Sequence, residues 1–159
     1  MRAVAALALV ALFTGAGHRV GSAGVTVRLP PGWHSPADFV QGNVTNPLTR
    51  VVVASARIRP HPTGCQVGAY AFARTTVAIV ILEWLPPLGA RQAPRPRRFD
   101  AKTLKIRAGR TVECFDGRGG DVEFDDHGRH FGAYLLVGTR AGAATIAAAR
   151  RVLDTLQVE

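Results

Sequence analysis

Apolar and polar positions alternate most clearly between residues 121 and 137. Within Asp121–Asp125, Val122 and Phe124 are separated by acidic residues, and this period of two predicts a strand with one side in water. Gly128 belongs to a short polar turn, where its backbone can adopt a positive φ. The stretch His130–Val137 alternates again, so the pattern predicts a hairpin of two strands.

The period changes from that of a strand to that of a helix in the stretch Gly142–Leu156. Its apolar residues recur three and four positions apart, whereas Arg150, Arg151 and Asp154 lie off this stripe. A helix of this kind buries its stripe against a sheet. The stripe consists of Ile146, Ala149, Val152, Leu153 and Leu156, and it should face Val122, Phe124, Phe131 and Leu135.

Shorter alternating or apolar runs predict the other strands. The run Thr76–Trp84 is apolar on both faces, which is typical of a central strand covered on both sides. Short helical pieces are expected around Ala37 and Ala69. The remaining predicted strands are Val25–Leu29, Arg50–Ile58, Thr103–Arg107 and Thr111–Phe115. The expected fold class is therefore α+β, with a single, mostly antiparallel sheet of about six or seven strands, a C-terminal helix on one face and short helices elsewhere.

The first residues have the composition of a secretory signal peptide. Arg2 gives a positive start, Ala3–Phe13 is an unbroken apolar run, and Gly21-Ser22-Ala23 supplies small residues before a cut. The apolar run is shorter than the about 20 residues that a membrane span needs, although an uncleaved anchor is the alternative. We therefore predict a signal peptide over 1–23 and a single domain over 24–159, with no membrane span after cleavage and a secreted or extracytoplasmic location.

The chain is strongly basic, with a net charge of +9, of which Arg2 and Arg19 contribute two. All of its basic residues except Lys102 and Lys105 are arginines. A positive surface favours anionic partners such as an acidic envelope polymer or an acidic protein. Nucleic acid is the weaker partner class, because an exported chain meets little of it. The alternative is a bias toward G/C-rich codons, in which case the charge carries no functional meaning.

Two cysteines, Cys65 and Cys114, are present. In an exported protein an even pair predicts one disulfide. The rival hypothesis makes Cys114 a nucleophile, but its sequence neighbours carry no feature of a catalytic cysteine.

The stretch Pro86–Arg98 combines prolines with arginines and predicts an exposed, partly extended loop. Arginine guanidinium groups pair well with phosphate or carboxylate. The candidate anion-binding residues are Arg91, Arg95, Arg97 and Arg98. The alternative is a solvated linker between strands.

The densest group of titratable residues is Asp125, Asp126, His127 and His130. Histidine and aspartate are good metal ligands, but a zinc site needs at least three converging protein ligands. A tight turn should send His127 and His130 in different directions. We therefore predict a solvated turn, with no metal ion and no cofactor.

Glu83 and Trp33 are two further residues for which a functional and a structural interpretation compete. Glu83 ends the most apolar strand and should reach solvent or an arginine, because carboxylates are rarely buried unpaired. Trp33 follows the turn Pro30–Gly32, and it should close over the core with its N–H on a carbonyl. The functional alternative for Trp33 is a platform on which a ligand stacks.

Three stretches carry a resemblance to other proteins: L-P-P-G-W at 29–33, G-R-H-F-G-A-Y-L-L-V-G at 128–138 and A-A-R-R-V-L-D-T-L-Q-V at 148–158. They resemble a diffuse set of small exported bacterial proteins without an assigned activity, and in outline the chain is similar to the PsbP-like α+β fold. The matching motifs are packing motifs, so the resemblance implies a fold and no chemistry.

No catalytic residues can be assigned from these patterns, since neither a serine-hydrolase motif nor a metalloprotease motif is present. The expected function is an exported, non-catalytic accessory or interaction module, with an anionic partner as its candidate ligand. The alternative is a small secreted hydrolase that uses a histidine and an acid.

Overall fold

A computed structural model describes residues 17–41, 44–61, 65–86, 98–107, 112–115 and 117–159. Within these ranges the protein is mostly β and contains one helix. The strands are β1 (Arg19–Ser22), β2 (Val25–Arg28), β3 (Leu48–Ala54), β4 (Arg59–Pro60), β5 (Tyr70–Ala71), β6 (Val77–Trp84), β7 (Arg118–Asp126), β8 (Arg129–Val137) and β9 (Gln157–Val158), and the helix is α1 (Ala143–Leu153).

The largest sheet has four antiparallel strands in the order β3-β6-β8-β7. Its central strand β6 buries both faces, as its unbroken apolar sequence predicts. Alternate residues of this strand therefore enter two different cores. Ile79 and Ile81 point into the larger core, and Ala78, Val80 and Leu82 into the smaller one.

Helix α1 covers the larger core with its apolar stripe. Ala149, Val152 and Leu153 are buried, and Ile146 and Leu156 pack at the margin of the same core. Leu153 is fully buried in the core that also contains Phe124, Phe131 and Leu135, which confirms the predicted face of the helix.

A separate three-stranded sheet joins the two ends of the described chain, in the order β1-β2-β9. Strands β1 and β2 form a hairpin whose two turn residues, Ala23 and Gly24, both have positive φ. Two positive φ values are the mark of a type I′ turn, whose twist suits a hairpin. Val25 and Val27 of β2 are fully buried in the larger core, so this sheet packs against the rest of the fold.

The expected fold class is wrong, because the strands form three separate sheets of four, three and two strands rather than one sheet of six or seven. The expected helices around Ala37 and Ala69 are also wrong. Both stretches are turns or irregular backbone, and Tyr70–Ala71 forms the short strand β5, which pairs with β4. Proline and glycine nearby interrupt each stretch before a helical turn can propagate.

Two predicted strands in the middle of the chain are reduced to single bridges. Arg107 pairs with Gly119 beside β7, and Val112 pairs with Phe115 in a tight turn. Strands β1, β4, β5 and β9 were not expected, and each has four residues or fewer. A run of two to four residues is too short to show an alternation.

The predicted disulfide is present between Cys65 and Cys114, whose Cα atoms are 6.3 Å apart. It joins the stretch that leads into β5 to the turn at 112–115. Both segments lie over the smaller core, to which they contribute Val67, Ala69 and Val112. No helix among the described residues is long and apolar enough to cross a membrane.

Candidate functional site

Glu83 is buried at the end of β6, where two arginines hold it. Arg50 Nε donates to Glu83 Oε2 at 2.5 Å, and Arg129 donates from Nε to Oε1 at 2.7 Å and from Nη2 to Oε2 at 2.9 Å. The hydrogen bond from Arg129 is the main cause of the lowered pKa of Glu83, which burial opposes and Arg50 reinforces. The predicted arginine partnership is therefore confirmed, whereas the exit to solvent is not.

Arg129 also ties this carboxylate to both ends of the described chain. Its Nη1 donates to the carbonyl of Glu159 at 2.9 Å, and its Nη2 donates to the carbonyl of Ala23 at 3.0 Å. The side chain lies 5.2 Å from the ring of Phe131. We call Glu83, Arg50 and Arg129 the Glu83 cluster. Its charged groups bind one another and nearby backbone carbonyls, so the cluster stabilises the packing of the strands.

The acidic and histidine residues around the β7–β8 turn form two separate pairs. His127 Nδ1 lies 2.9 Å from Asp126 Oδ1, and His130 Nδ1 lies 2.9 Å from Asp125 Oδ1. His127 is exposed whereas His130 is buried, so the two rings do not converge. Within the described ranges, no three histidine, cysteine, aspartate or glutamate side chains are grouped to hold a metal ion.

The pair His130–Asp125 has one geometric feature of a hydrolase, a histidine oriented by an acid. A base of this kind needs its second nitrogen free for a nucleophile. Here His130 Nε2 faces a second carboxylate, that of Glu123, at 3.9 Å, and the ring stacks on Trp84. Neither His130 nor Asp125 is among the described residues that line the three cavities considered below. Among the described residues, this pair therefore borders none of these cavities, and a carboxylate lies where a hydrolase would place its nucleophile.

A second histidine, His34, borders a cavity of 430 Å³ together with Ser35 and Asp38. The hydroxyl of Ser35 donates to the carbonyl of Val52 at 2.9 Å, so it serves the edge of β3. The backbone of His34 pairs with Ala54 on the same strand. These residues complete the edge of a sheet and do not form a catalytic triad.

Of the predicted anion-binding arginines, Arg91, Arg95 and Arg97 lie outside the described residues. Arg98 borders a cavity of 610 Å³ beneath the end of α1. The same cavity is lined by Asp100, Asp126, Asp154 and Glu159. In the described part of this lining, four acidic residues accompany Arg98 as its only arginine, so the cavity is a poor place for an anion.

A different cavity lies beside Trp33, and the charged residues in its described lining are basic rather than acidic. The chain turns sharply at Pro30–Trp33, where the N–H of Trp33 donates to the carbonyl of Pro30 at 3.2 Å and Gly32 has a φ of 78°. Proline at the second position and a positive φ at the third are typical of a type II turn. The turn lays the indole against the larger core, which it partly covers.

The side of this turn and the neighbouring face of α1 enclose a groove of 370 Å³. We call it the Trp33 groove. Its lining is mostly apolar, with Val152 buried to 2 % exposure in the floor. It is formed by Gly17, Arg28, Pro30, Pro31, Trp33, Ala148, Arg151, Val152 and Thr155.

Two guanidinium groups border the Trp33 groove, and none of the described residues that line it carries a carboxylate side chain. Arg28 and Arg151 are both exposed, and neither side chain has a hydrogen bond or an ion pair within the described part of the chain. By contrast, Thr155 is fully engaged, since its hydroxyl accepts from Arg28 N at 2.8 Å and donates to Val152 O at 2.6 Å. Among the described polar side chains of the groove, the two guanidinium groups are therefore the ones available to bind a ligand, and they lie over an apolar floor.

Trp33 combines both interpretations that its sequence position allowed. The ring is partly buried on the core, as the structural interpretation predicts, yet it also lines the groove. The indole Nε1–H of Trp33 has no carbonyl partner among the described residues, contrary to the prediction from the sequence. Sequence reasoning missed the groove because Arg151 is more than 100 positions away from Arg28 and Trp33 in the chain. The only hint was the glycine-proline turn that placed Trp33 at the end of a strand.

Comparisons with protein-family models, with curated proteins and with solved structures found no match for this chain. The candidate function therefore depends on the geometry of the groove and on the charge of the chain.

Proposed function

We propose that the protein is an exported, non-catalytic binding module whose partner is an anion with an apolar part, held in the Trp33 groove. The carrying observation is the pair of guanidinium groups of Arg28 and Arg151 over an apolar floor: within the described ranges neither has a partner, and the lining includes no carboxylate side chain. The volume of 370 Å³ lies near the lower end of the range of small-molecule sites, about 300–1,000 Å³.

The chemistry of the groove selects the class of ligand. An alkyl or aromatic group can cover Trp33 and Val152, where burial contributes about 25 cal/mol per Å² of apolar surface. A carboxylate or phosphate can reach the guanidinium forks at the border, with which it makes charge-assisted hydrogen bonds. A neutral ligand would use only the floor, and a cation would be repelled.

Export and the resemblance to small exported proteins remain part of this proposal. The apolar run Ala3–Phe13 and the disulfide between Cys65 and Cys114 support export, because disulfides persist in oxidising compartments. A hydrolase is the weaker alternative, since His130 faces carboxylates on both ring nitrogens.

The proposal predicts that decanoate binds at the Trp33 groove and quenches or shifts the fluorescence of Trp33. The measurement uses a Trp84→Phe background, so that Trp33 is the only tryptophan. That change should be mild, because the buried Nε1 of Trp84 has no hydrogen-bond partner to lose. Arg28→Gln and Arg151→Gln should each weaken binding about two- to fivefold, as expected for exposed charge pairs.

Arg140→Gln is the matched control, since Arg140 is also exposed and is not among the residues that line the groove. Decanoate binding should weaken with salt, whereas binding of decanol should not. The quadruple change of Arg91, Arg95, Arg97 and Arg98 to serine tests the basic loop as the competing site. Equal losses in Arg140→Gln and Arg151→Gln, or a loss confined to the loop variant, would refute the groove.

A further inference from the structure

The residues from Gly17 to Ala23 make contacts that belong to the folded domain. Strand β1 pairs with β2 through four register positions, from Arg19 opposite Arg28 to Ser22 opposite Val25. Val20 packs against the larger core, and the N–H of Leu29 donates to the carbonyl of His18 at 2.9 Å. This stretch therefore has the contacts of an edge strand, although its sequence places it within the expected signal peptide.

The small residues at the expected cut lie in the turn of this hairpin. Ala23 and Gly24 are the two turn residues, and their carbonyls accept hydrogen bonds from residues more than 100 positions further along the chain. Arg129 Nη2 donates to Ala23 O at 3.0 Å, and the N–H of Glu159 donates to Gly24 O at 3.0 Å. A cut after Ala23 would remove β1 and the contact of Arg129 with Ala23, and it would leave Gly24 as the new chain end.

The sequence offers a second site seven residues earlier that keeps all of them. Ala16 and Thr14 are small residues at the last and third-last positions before Gly17, the pattern that signal peptidases accept. The apolar run Ala3–Phe13 ends just before it. Gly17 itself is confined, because a Cβ there would collide with the carbonyl oxygen of Leu29 and crowd Arg28 Cγ.

We infer that a signal peptidase cleaves between Ala16 and Gly17, and that this cut completes the Trp33 groove. Water adds across the amide bond, so the released peptide ends in the carboxylate of Ala16 and the nitrogen of Gly17 becomes an ammonium. Gly17 lines the groove with Arg28 and Arg151. An α-amino group has a pKa of about 7.7–8.0, so it adds a third positive charge to the lining at neutral pH. This inference depends on the export and on the ligand class proposed above.

The first experiment is the intact mass and N-terminal sequence of the chain recovered from outside the cytoplasm of an exporting bacterium. We expect it to begin at Gly17. Ala16→Phe should leave the precursor uncut, because a bulky residue replaces the small one before the bond, and Ala23→Phe should be processed normally. A chain beginning at Gly24 overturns the inference and leaves export intact. An uncut wild-type chain recovered there overturns the proposed cleavage, whereas a wild-type chain that stays in the cytoplasm overturns export.

The second experiment compares decanoate binding by the chain that begins at Gly17 with binding by a chain that keeps Thr14–Ala16. Three added residues can carry the ammonium up to about 10 Å away. We expect the longer chain to bind about two- to fivefold more weakly, the range for one exposed charge pair, and to bind decanol equally well. If the two chains bind decanoate with equal affinity, the ammonium group of Gly17 does not contribute to binding. No decanoate binding by either chain removes the proposed ligand, while the mass still decides the cut.

Discussion

At Glu83 one carboxylate accepts three hydrogen bonds from two guanidinium groups, so the contribution of this residue depends on its ionised form. The side chain of Glu83 is 7 % exposed, and those of Arg50 and Arg129 are 16 % and 21 % exposed. Solvent therefore screens these charges only weakly. Removal of the carboxylate leaves the guanidinium groups without an ion-pair partner, and removal of the guanidinium groups leaves the carboxylate unpaired.

Glu83→Gln should lower the free energy of unfolding at pH 7 by about 2–3 kcal/mol. The value lies below the about 3–5 kcal/mol of a fully buried pair, because both arginines keep some contact with water. Urea titrations of the variant and of Asp38→Asn, an exposed carboxylate, provide the measurement and its control.

The lowered pKa of Glu83 also fixes how this difference depends on pH. Its stabilisation is complete above the pKa of an unfolded glutamate, about 4.3, and is lost as the pH falls through the lower pKa of the folded state. The gap between wild type and Glu83→Gln should therefore narrow in acid. Parallel stability curves down to pH 3 would contradict the assignment.

Helix α1 shows how far periodicity predicts an element and where it stops. The stripe placed Leu153 in the core correctly, because three- and four-residue spacing leaves only one apolar face. It did not foresee the contacts of Arg150, which donates from Nη1 to Ala101 O at 2.7 Å and from Nη2 to Leu104 O at 3.0 Å. A residue off the stripe can still hold a neighbouring segment, and this depends on a chain position that no local pattern shows.

Leu153→Ala should cost about 2–5 kcal/mol of unfolding free energy, the range for a large-to-small change in a core. Arg151→Ala on the exposed side of α1 should cost under about 0.5 kcal/mol, as surface changes usually do. Arg150→Ala should fall between them, because two carbonyls lose a donor. Chemical denaturation of the three variants tests the order. Equal costs for Leu153→Ala and Arg151→Ala would show that the helix faces the core differently.

The long strands could be predicted from the sequence, whereas the short ones could not. The long strands β6 and β8 appear where their apolar runs predict them, because each buries enough alternating side chains to be recognised. Strands β1 and β9 have too few residues for a pattern, and they exist because β2 lies between them. The single sheet was a wrong expectation for this reason, since sheet membership is decided by partners far apart in sequence.

Over the whole molecule, the disulfide closes the smaller core. Cys65 and Cys114 fasten two segments that lack long strands, and the carboxylate of Glu113 adds hydrogen bonds from Gln66 N at 3.1 Å and Val67 N at 2.8 Å. The pairing was predictable from the even cysteine count. The way in which the two cross-linked segments cover the smaller core was not predictable, because the sequence predicted a helix for one segment and a strand for the other.

Replacing both cysteines by serine should lower the free energy of unfolding by about 4 kcal/mol, the chain-entropy value for residues 49 apart. Guanidinium denaturation with and without a reductant measures it. The reductant should destabilise the wild type and leave the double variant unchanged. An unchanged midpoint in the reduced wild type would show that the smaller core holds without its cross-link.

The sheet that joins the chain ends has a consequence for how the protein reaches its native state. Thr26 pairs with Gln157, 131 residues further along, and Val25 and Val27 lie in the core that α1 closes. A chain that emerges from the ribosome N-terminus first cannot complete the β1-β2-β9 sheet around these valines until residues 157–158 have been made. Contacts of such long range form late and slowly. We therefore expect the nascent chain to remain incompletely folded until its synthesis ends. An incompletely folded polypeptide is the form that can pass through a narrow export channel.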